Sequence, residues 1–233
     1  MKKLFSVLFA VLAVTMFVAS CSKDDPDYHT LRVNSYLAKT YPVQYYADQT
    51  HDSLFVVSTD SWESDTKCDW IRFRQTALSS ISYKFRYQYG VALSKSELIV
   101  INANATGADR STQITTSANG KQVVLSVVQH PYLNITNPQL NLVDKTKLFS
   151  KTLAKATLST ELAFTLYNDA RLSTEDSWIT LPSQTYYQGD FSGKSYTVTI
   201  QLEANTTGAQ RNGKVTLTSE TGVATVIEIV QNA

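Results

Sequence analysis

The segment Asn104-Ala105-Thr106-Gly107-Ala108-Asp109-Arg110 recurs 101 residues later as Asn205-Thr206-Thr207-Gly208-Ala209-Gln210-Arg211. Its flanks recur as well: Asp69-Trp70-Ile71 corresponds to Ser177-Trp178-Ile179, and Val127-Val128-Gln129 corresponds to Ile229-Val230-Gln231. Solenoids repeat every ~20–50 residues, so a period near one hundred residues indicates a duplicated domain. The sequence therefore predicts two domains, over residues 31–131 and 132–233.

Both halves are rich in short runs of β-branched and aromatic residues, which favour strands. These runs are Leu54–Ser58, Ile99–Ala103, Val123–Val128, Thr197–Leu202 and Val223–Val230. Only Leu148–Ala156 is compatible with a helix, and Thr152 and Thr157 disfavour one there. Short strands separated by turn residues predict an all-β protein of two tandem immunoglobulin-like antiparallel β-sandwich domains.

Two turns and two tryptophans support this fold. Asn119-Gly120 predicts a two-residue hairpin, because both central residues of the favoured turn need positive φ. The second copy has Glu220-Thr221-Gly222 there, which favours a three-residue loop with a left-handed glycine. Trp70 and Trp178 each lead a short apolar strand, and we expect both to anchor a core rather than to bind a ligand.

The N-terminus has the features of a secretory signal over residues 1–20. Met1-Lys2-Lys3 is basic, and the apolar run Leu4–Val18 is short for a membrane-spanning helix. Val18-Ala19-Ser20-Cys21 resembles the bacterial lipobox, which implies cleavage before Cys21 and lipidation of that residue. The alternative is an ordinary signal peptide with an incidental cysteine.

Residues 21–30 form the expected lipidated tether. Within it, Ser22-Lys23-Asp24-Asp25 resembles the surface-export signal of Bacteroidetes lipoproteins. This resemblance implies an outer-membrane protein that is exposed on the cell surface. Its membrane attachment would be through the lipid anchor only, since two or more acyl chains hold a protein stably.

The charge balance excludes some partners. Of 21 basic residues, Lys2 and Lys3 lie in the signal, which leaves 19 against 20 acidic residues. A near-neutral chain is not expected to bind nucleic acid or anionic lipid. Without Cys21, Cys68 is the one remaining thiol, so no intramolecular disulfide can form. We expect Cys68 to be a half-buried structural residue, because no histidine lies near it in the sequence.

The spacing Trp62-x7-Trp70, then Asn104-x2-Gly107-x2-Arg110, then a hairpin ending in Val128-Gln129, resembles the BACON domain (Bacteroidetes-associated carbohydrate-binding often N-terminal). The second copy carries the matching Trp178, Asn205, Gly208, Arg211 and Val230-Gln231, but has Ala170 where Trp62 would fall. Together the copies cover about Tyr28 to Ala233. The resemblance implies an immunoglobulin-like sandwich associated with proteins that handle glycans.

The copies differ most between the tryptophan and the asparagine, with a spacing of 34 residues in the first and 27 in the second. The longer segment contains Tyr83-Lys84-Phe85-Arg86-Tyr87-Gln88-Tyr89. Strand alternation places Tyr83, Phe85, Tyr87 and Tyr89 on one face. Exposed aromatic rings suit the flat C–H faces of sugars, so these four residues are candidates for glycan binding. The alternative is that they face the core.

Catalytic and metal sites are not expected. The acidic residues before each tryptophan match no known calcium loop. The three histidines lie apart in the sequence, with no nucleophile motif beside them, and a glycosidase needs paired carboxylates across a cleft. We therefore expect no enzyme activity, no metal and no cofactor.

The sequence favours a non-catalytic surface lipoprotein that binds or presents carbohydrate, with a polysaccharide or other glycan as partner. The alternative is a structural spacer or adhesin subunit that contacts other surface proteins through a sheet edge. The junction His130-Pro131-Tyr132-Leu133 has no Gly/Ser stretch, so the two domains should hold a limited range of angles.

Overall fold

The structure is a computed structural model that describes residues 29–37, 41–75, 81–84, 91–137, 139–143 and 148–233. Within these ranges the chain forms strands and turns but no α-helix. The signal, Cys21 and most of the tether lie outside the described residues. The all-β prediction is confirmed.

The first half of the chain contributes two sheets. One has the order β1-β3-β7-β5, with β6 also paired to β7, and the other has the order β2-β9-β8-β4. The strands are β1 (Leu31–Ser35), β2 (Val43–Tyr45), β3 (His51–Ser58), β4 (Glu63–Thr66), β5 (Ile71–Gln75), β6 (Ile81–Lys84), β7 (Val91–Ile101), β8 (Arg110–Ala118) and β9 (Lys121–Gln129).

The second half contributes two further sheets, with the orders β10-β13-β17-β15 and β11-β12-β19-β18-β14-β16. The strands are β10 (Asn134–Ile135), β11 (Asn141–Val143), β12 (Leu148–Leu153), β13 (Ser159–Leu166), β14 (Ala170–Thr174), β15 (Ile179–Thr180), β16 (Tyr186–Tyr187), β17 (Lys194–Leu202), β18 (Arg211–Ser219) and β19 (Ala224–Gln231). Each half is thus an immunoglobulin-like sandwich of two sheets, and none of the described strands joins a sheet of the other half.

The ladders are antiparallel except at one position in each domain. There β2 runs parallel to β9, and β12 runs parallel to β19. The Leu148–Ala156 segment is therefore strand β12 followed by a turn, and the possibility of a helix is wrong. Phe149 and Lys151 alternate with more exposed neighbours along β12, which is the period of a strand rather than of a helix.

Each domain has its own hydrophobic core. Trp70, Leu54 and Ile101 belong to the first, and Trp178 and Phe164 belong to the second. The tryptophans are only 6% and 9% exposed, so the prediction that both anchor a core is confirmed. Each large apolar side chain contributes about 1.5–3 kcal/mol when fully buried.

Both predicted turns form. Asn119 and Gly120 have positive φ (44° and 75°) and close the hairpin between β8 and β9. In the second domain Gly222 has a φ of 83°, and its N–H donates to Ser219 O at 2.9 Å. The copies therefore reach the same hairpin with loops of different length.

The two domains are joined by packing as well as by the chain. Ala47 and Leu133 are fully buried and belong to the core of the second domain, although Ala47 follows β2 of the first. Ala47 N–H donates to Tyr132 O at 3.0 Å, and Leu133 N–H donates to Thr225 Oγ1 at 2.8 Å. The first domain thus inserts a small residue into its neighbour's core.

Hydrogen bonds from one domain to the other reinforce this packing. The carboxylate of Asp48 accepts from Tyr167 N–H (2.9 Å) and Asn168 N–H (3.3 Å). The Asn168 side-chain amide donates to Asp48 O and to Thr50 Oγ1. Such contacts oppose rotation of one domain against the other.

Candidate functional site

The predicted aromatic strip lies mostly outside the described residues. Tyr83 is in β6, where its backbone pairs with Ala92 of β7, whereas Phe85, Tyr87 and Tyr89 fall in the segment that the structure does not describe. The assignment of these four residues to glycan binding therefore stays a prediction.

The position of β6 is nevertheless informative. It pairs with the same edge of β7 as β5 does, since β3 occupies the opposite edge. In the second domain the corresponding short strand, β16, pairs with β14 in the other sheet. Strand β6, which contains Tyr83, thus extends a different sheet from Tyr186-Tyr187 of the second copy.

The repeated Asn-x2-Gly-x2-Arg motif forms a network of hydrogen bonds that holds its own loop in place. Asn104 is fully buried, and its amide donates to Ala108 O (2.9 Å) and Gln129 O (3.0 Å). Its Oδ1 accepts from the backbone N–H and the hydroxyl of Thr106, at 3.2 and 2.7 Å. Asn104 therefore ties the loop to the last strand and has no free group for a ligand.

The arginine of the motif covers the core tryptophan. The guanidinium carbon of Arg110 lies 4.5 Å from the centre of the Trp70 ring. Its Nε donates to Gln129 Oε1 at 2.8 Å. A cation over an indole face is favourable, and here it also shields the edge of the core from water.

The second domain repeats this network closely. Asn205 donates to Gln231 O at 3.3 Å and accepts from Thr207 Oγ1 at 2.8 Å. Arg211 lies 4.2 Å above Trp178 and donates through Nε to Gln231 Oε1 at 3.0 Å. The residues that the copies share thus stabilise the fold, so a ligand site must be sought where the copies differ.

One such place is Tyr186, which is 38% exposed while its neighbour Tyr187 is 3% exposed. The Tyr186 hydroxyl lies 2.5 Å from Asp169 Oδ2 and 3.0 Å from Glu220 Oε1. These two acceptors raise the pKa of Tyr186, and the hydroxyl in turn lowers the pKa of Asp169. The ring is therefore held in a fixed orientation at the surface.

The surroundings of Tyr186 can bind hydroxyl groups. A carboxylate has about four lone-pair positions, so Asp169 and Glu220 retain acceptor capacity beside the exposed ring. Asp169 and Glu220 are 51 residues apart in the sequence and are brought together by the pairing of β14 with β18, next to which Glu220 N–H donates to Asp169 O at 2.8 Å. Strand alternation predicts one outward tyrosine here, but no local signal predicts the carboxylates.

A shallow groove of about 460 Å³ crosses the first domain at β8 and β9. It is lined by residues with hydroxyl, amide and charged groups, among them Thr66, Lys67, Ser111, Gln113 and Thr115. These groups can form hydrogen bonds with a ligand. The lining has no aromatic ring, so it lacks the stacking surface that sugars favour.

The described residues show no grouping of three or more His, Cys, Asp or Glu side chains that could hold a metal. The three histidines contact different partners: His29 bonds to Asp60, His51 to Thr50 and His130 to Asp109. Cys68 is half-buried beside the first core. No helix in the described ranges is long and apolar enough to span a membrane.

Comparison with known proteins gives one family match. Residues 170–232 match the model of the BACON family, described as "Putative binding domain, N-terminal". No curated protein matches the chain.

Several solved structures are similar over part or most of the chain. A Bacteroides ovatus GH5 xyloglucanase in complex with a XXXG heptasaccharide has 20% identity and a TM-score of 0.32, over 40% of this chain and 18% of its own. Titin A168169 has 9% identity and a TM-score of 0.27, over 88% and 100%. The structure "BspA_C_WT" has 7% identity and a TM-score of 0.28, over 82% and 95%.

These structures inform us little about function. The chain spans only 18% to 37% of the four glycoside hydrolases among the similar structures. At such low TM-scores the likeness carries no argument about what this chain binds. The family match concerns the second domain alone, whose residues 170–232 match the BACON model.

Proposed function

We propose that this chain is a non-catalytic lipoprotein of the bacterial cell surface that binds or presents carbohydrate through two BACON modules. The observation that carries the proposal is the exposed, immobilised ring of Tyr186 within the domain that matches a family of binding modules. A sugar ring that stacks on Tyr186 would place its hydroxyls near the carboxylates of Asp169 and Glu220.

The first domain supports a second module of the same kind. Its Asn104, Arg110, Trp70 and Gln129 form the same network as their counterparts in the matched domain. Strand β6, which contains Tyr83, adds a second candidate surface, because among the described residues it pairs only with β7 and has no partner along its other edge. Two modules on one chain would raise the avidity for a repetitive polysaccharide.

A glycan array tests this proposal with the chain from Ser22 to Ala233, which lacks the signal and the residue expected to carry the lipid. We expect at least one glycan to bind. Tyr186→Ala should weaken that binding by roughly three- to tenfold, because it removes the free energy of one aromatic contact. Tyr41→Ala, at a tyrosine that is 58% exposed, is the control. Tyr87→Ala tests the predicted strip in the same assay. Absence of binding to every glycan would refute the proposal.

The surface location is tested separately in intact cells. The lipobox at Val18-Ala19-Ser20-Cys21 and the following Ser22-Lys23-Asp24-Asp25 support lipidation and export. We expect radiolabelled palmitate to be incorporated into the protein but not into the Cys21→Ser variant. External protease should then degrade both domains. Protection until the outer membrane is broken would reject surface display.

A structural spacer or adhesin subunit remains the second candidate, and the junction favours it. Asp48, Asn168 and Ala47 hold the two domains together, which is what a stiff spacer requires. This function predicts no glycan binding and instead a protein neighbour that is recovered by cross-linking on intact cells. An array with bound glycan and no cross-linked partner would decide against it.

A further inference from the structure

The domain junction carries a group of aromatic rings that the proposed surfaces do not include. The ring of Tyr46 lies 5.6 Å from His130, 6.3 Å from Tyr132 and 6.3 Å from Tyr167. His130 stacks on Tyr132 at 5.0 Å, with 13° between the two planes. All four rings are half-buried, so each presents part of its surface to solvent.

Polar groups border these rings. His130 Nδ1 lies 2.9 Å from Asp109 Oδ1, and the Asp109 side chain is 40% exposed. Gln44 Oε1 lies 3.5 Å from the other nitrogen of His130. Burial raises the pKa of both Tyr46 and Tyr132, to about 12 for Tyr132. Both hydroxyls are therefore protonated donors at neutral pH.

Comparison of the two copies shows that this group is specific to the junction. The pairing of β2 with β9 and of β12 with β19 makes Ala154 the counterpart of Tyr46. By the same register Asn232 is the counterpart of His130, and Gln210 that of Asp109. At the other end of the second domain, Ala154 and Asn232 thus occupy the positions of Tyr46 and His130 and carry no aromatic ring.

We infer that Tyr46, His130, Tyr132 and Tyr167 form a carbohydrate subsite shared by both domains. Ligand sites occur preferentially at domain interfaces and combine aromatic walls with a few polar groups, as here. Tyr46 and His130 come from the first domain, whereas Tyr167 comes from the second. The subsite is therefore complete only in the joined pair.

The chemistry of the subsite selects a neutral sugar. Tyr46 and Tyr132 offer hydroxyl donors, while Asp109 and Gln44 offer acceptors. None of these groups carries a permanent positive charge, and the Asp109 carboxylate repels sulfated or uronic-acid units. The expected ligand is a neutral hexose unit that stacks on the rings. This inference rests on the proposed glycan binding and adds the class of sugar and the place.

Histidine NMR tests the subsite with the chain from Ser22 to Ala233, which contains both domains. The probe is the neutral polysaccharide that binds best on the array. We expect its addition to shift the imidazole signals of His130 and to leave those of His29 and His51 unchanged. His51 lies in β3, where its ring bonds to Thr50 rather than to the aromatic group.

The matched variants are Tyr46→Phe and Tyr132→Phe, which keep the rings and remove the hydroxyls. Each should weaken binding roughly three- to tenfold, the worth of one hydrogen bond, without a change in Tm. Tyr41→Phe is the control. Binding that leaves the His130 signals and the affinities of both variants unchanged would overturn the subsite alone. A wild type that binds no glycan would overturn the proposed function together with it.

Discussion

Asn205 shows at the scale of one residue why the repeated motif is structural. Its amide donates to three carbonyl oxygens, those of Ala209, Gln231 and Asn232. Asn205→Ala would leave these acceptors without their donor in a position that is only 6% exposed. We expect the free energy of unfolding of the second domain to fall by about 2–4 kcal/mol.

Urea denaturation followed by tryptophan fluorescence measures this loss. Asn212→Ala, at an exposed position in the same region, should cost less than about 0.5 kcal/mol and serves as the control. If Asn205→Ala lowered the free energy of unfolding no more than the control does, the recurrence of the motif in both copies would need a reason other than stability.

Asp48 is the second residue whose environment has a measurable consequence. It is fully buried at the junction, and its Oδ1 has no hydrogen-bond partner among the described residues. Burial raises the pKa of Asp48 from 3.8 to about 6. Because the folded state then binds the proton more tightly than the unfolded chain, this group's contribution to stability is complete below pH 4 and is lost as the pH rises through 6.

Asp48→Asn should remove this pH dependence, because the amide is neutral at every pH. The variant should gain up to about 3 kcal/mol relative to the wild type between pH 4 and pH 7. Burial also raises the pKa of Asp52, but that contribution is common to both proteins and cancels in the difference. Unfolding curves at several pH values test this, and parallel pH profiles for the two proteins would show that Asp48 titrates normally.

At the scale of elements, strand β18 shows that the two copies pack different residues at the position next to their core tryptophan. A Cβ at Gly213 would lie 2.6 Å from the Trp178 ring and 2.8 Å from Ile179 Cδ1. The counterpart of Gly213 is Thr112, whose hydroxyl lies 3.1 Å from that of Thr66. We therefore expect Gly213→Thr to destabilise the second domain by about 2–3 kcal/mol through overpacking, although the first copy has threonine there.

Thermal unfolding of the Gly213→Thr variant measures this effect. The control is Lys214→Gln, which also replaces a residue of the second copy with its counterpart from the first. The control changes an exposed side chain and should leave the Tm almost unchanged. Equal Tm values for the two variants would mean that the tryptophan can shift to admit a side chain, and that the two cores are interchangeable.

The elements also show what the sequence could predict. β-Branched runs located β3, β9, β17 and β19, and glycines with positive φ placed the hairpin turns, because both signals are local. The sheet that β6 or β16 joins could not be predicted, since it depends on which neighbouring edge is free after folding. Asp169 and Glu220 reach Tyr186 for the same reason, so only the outward direction of that tyrosine followed from alternation.

At the scale of the whole molecule, the junction buries a position of the first domain whose counterpart in the second domain is exposed. Ala47 is fully buried in the second core, whereas its counterpart Lys155 is exposed. The difference between the copies at these positions thus indicates the junction in the sequence. The two positions can be aligned, however, only when the pairing of β2 with β9 and of β12 with β19 is known.

Exchange of these counterparts tests whether the two domains behave as one unit. Ala47→Lys would force a charged side chain into the second core, which is unfavourable unless the domains separate. We expect calorimetry to show one transition for the wild type and two for Ala47→Lys, with a larger radius of gyration in solution scattering. Lys155→Ala changes the equivalent position in the second domain and should preserve the single transition. A compact Ala47→Lys variant with one transition would mean that the burial of Ala47 in the second core is not what couples the two domains.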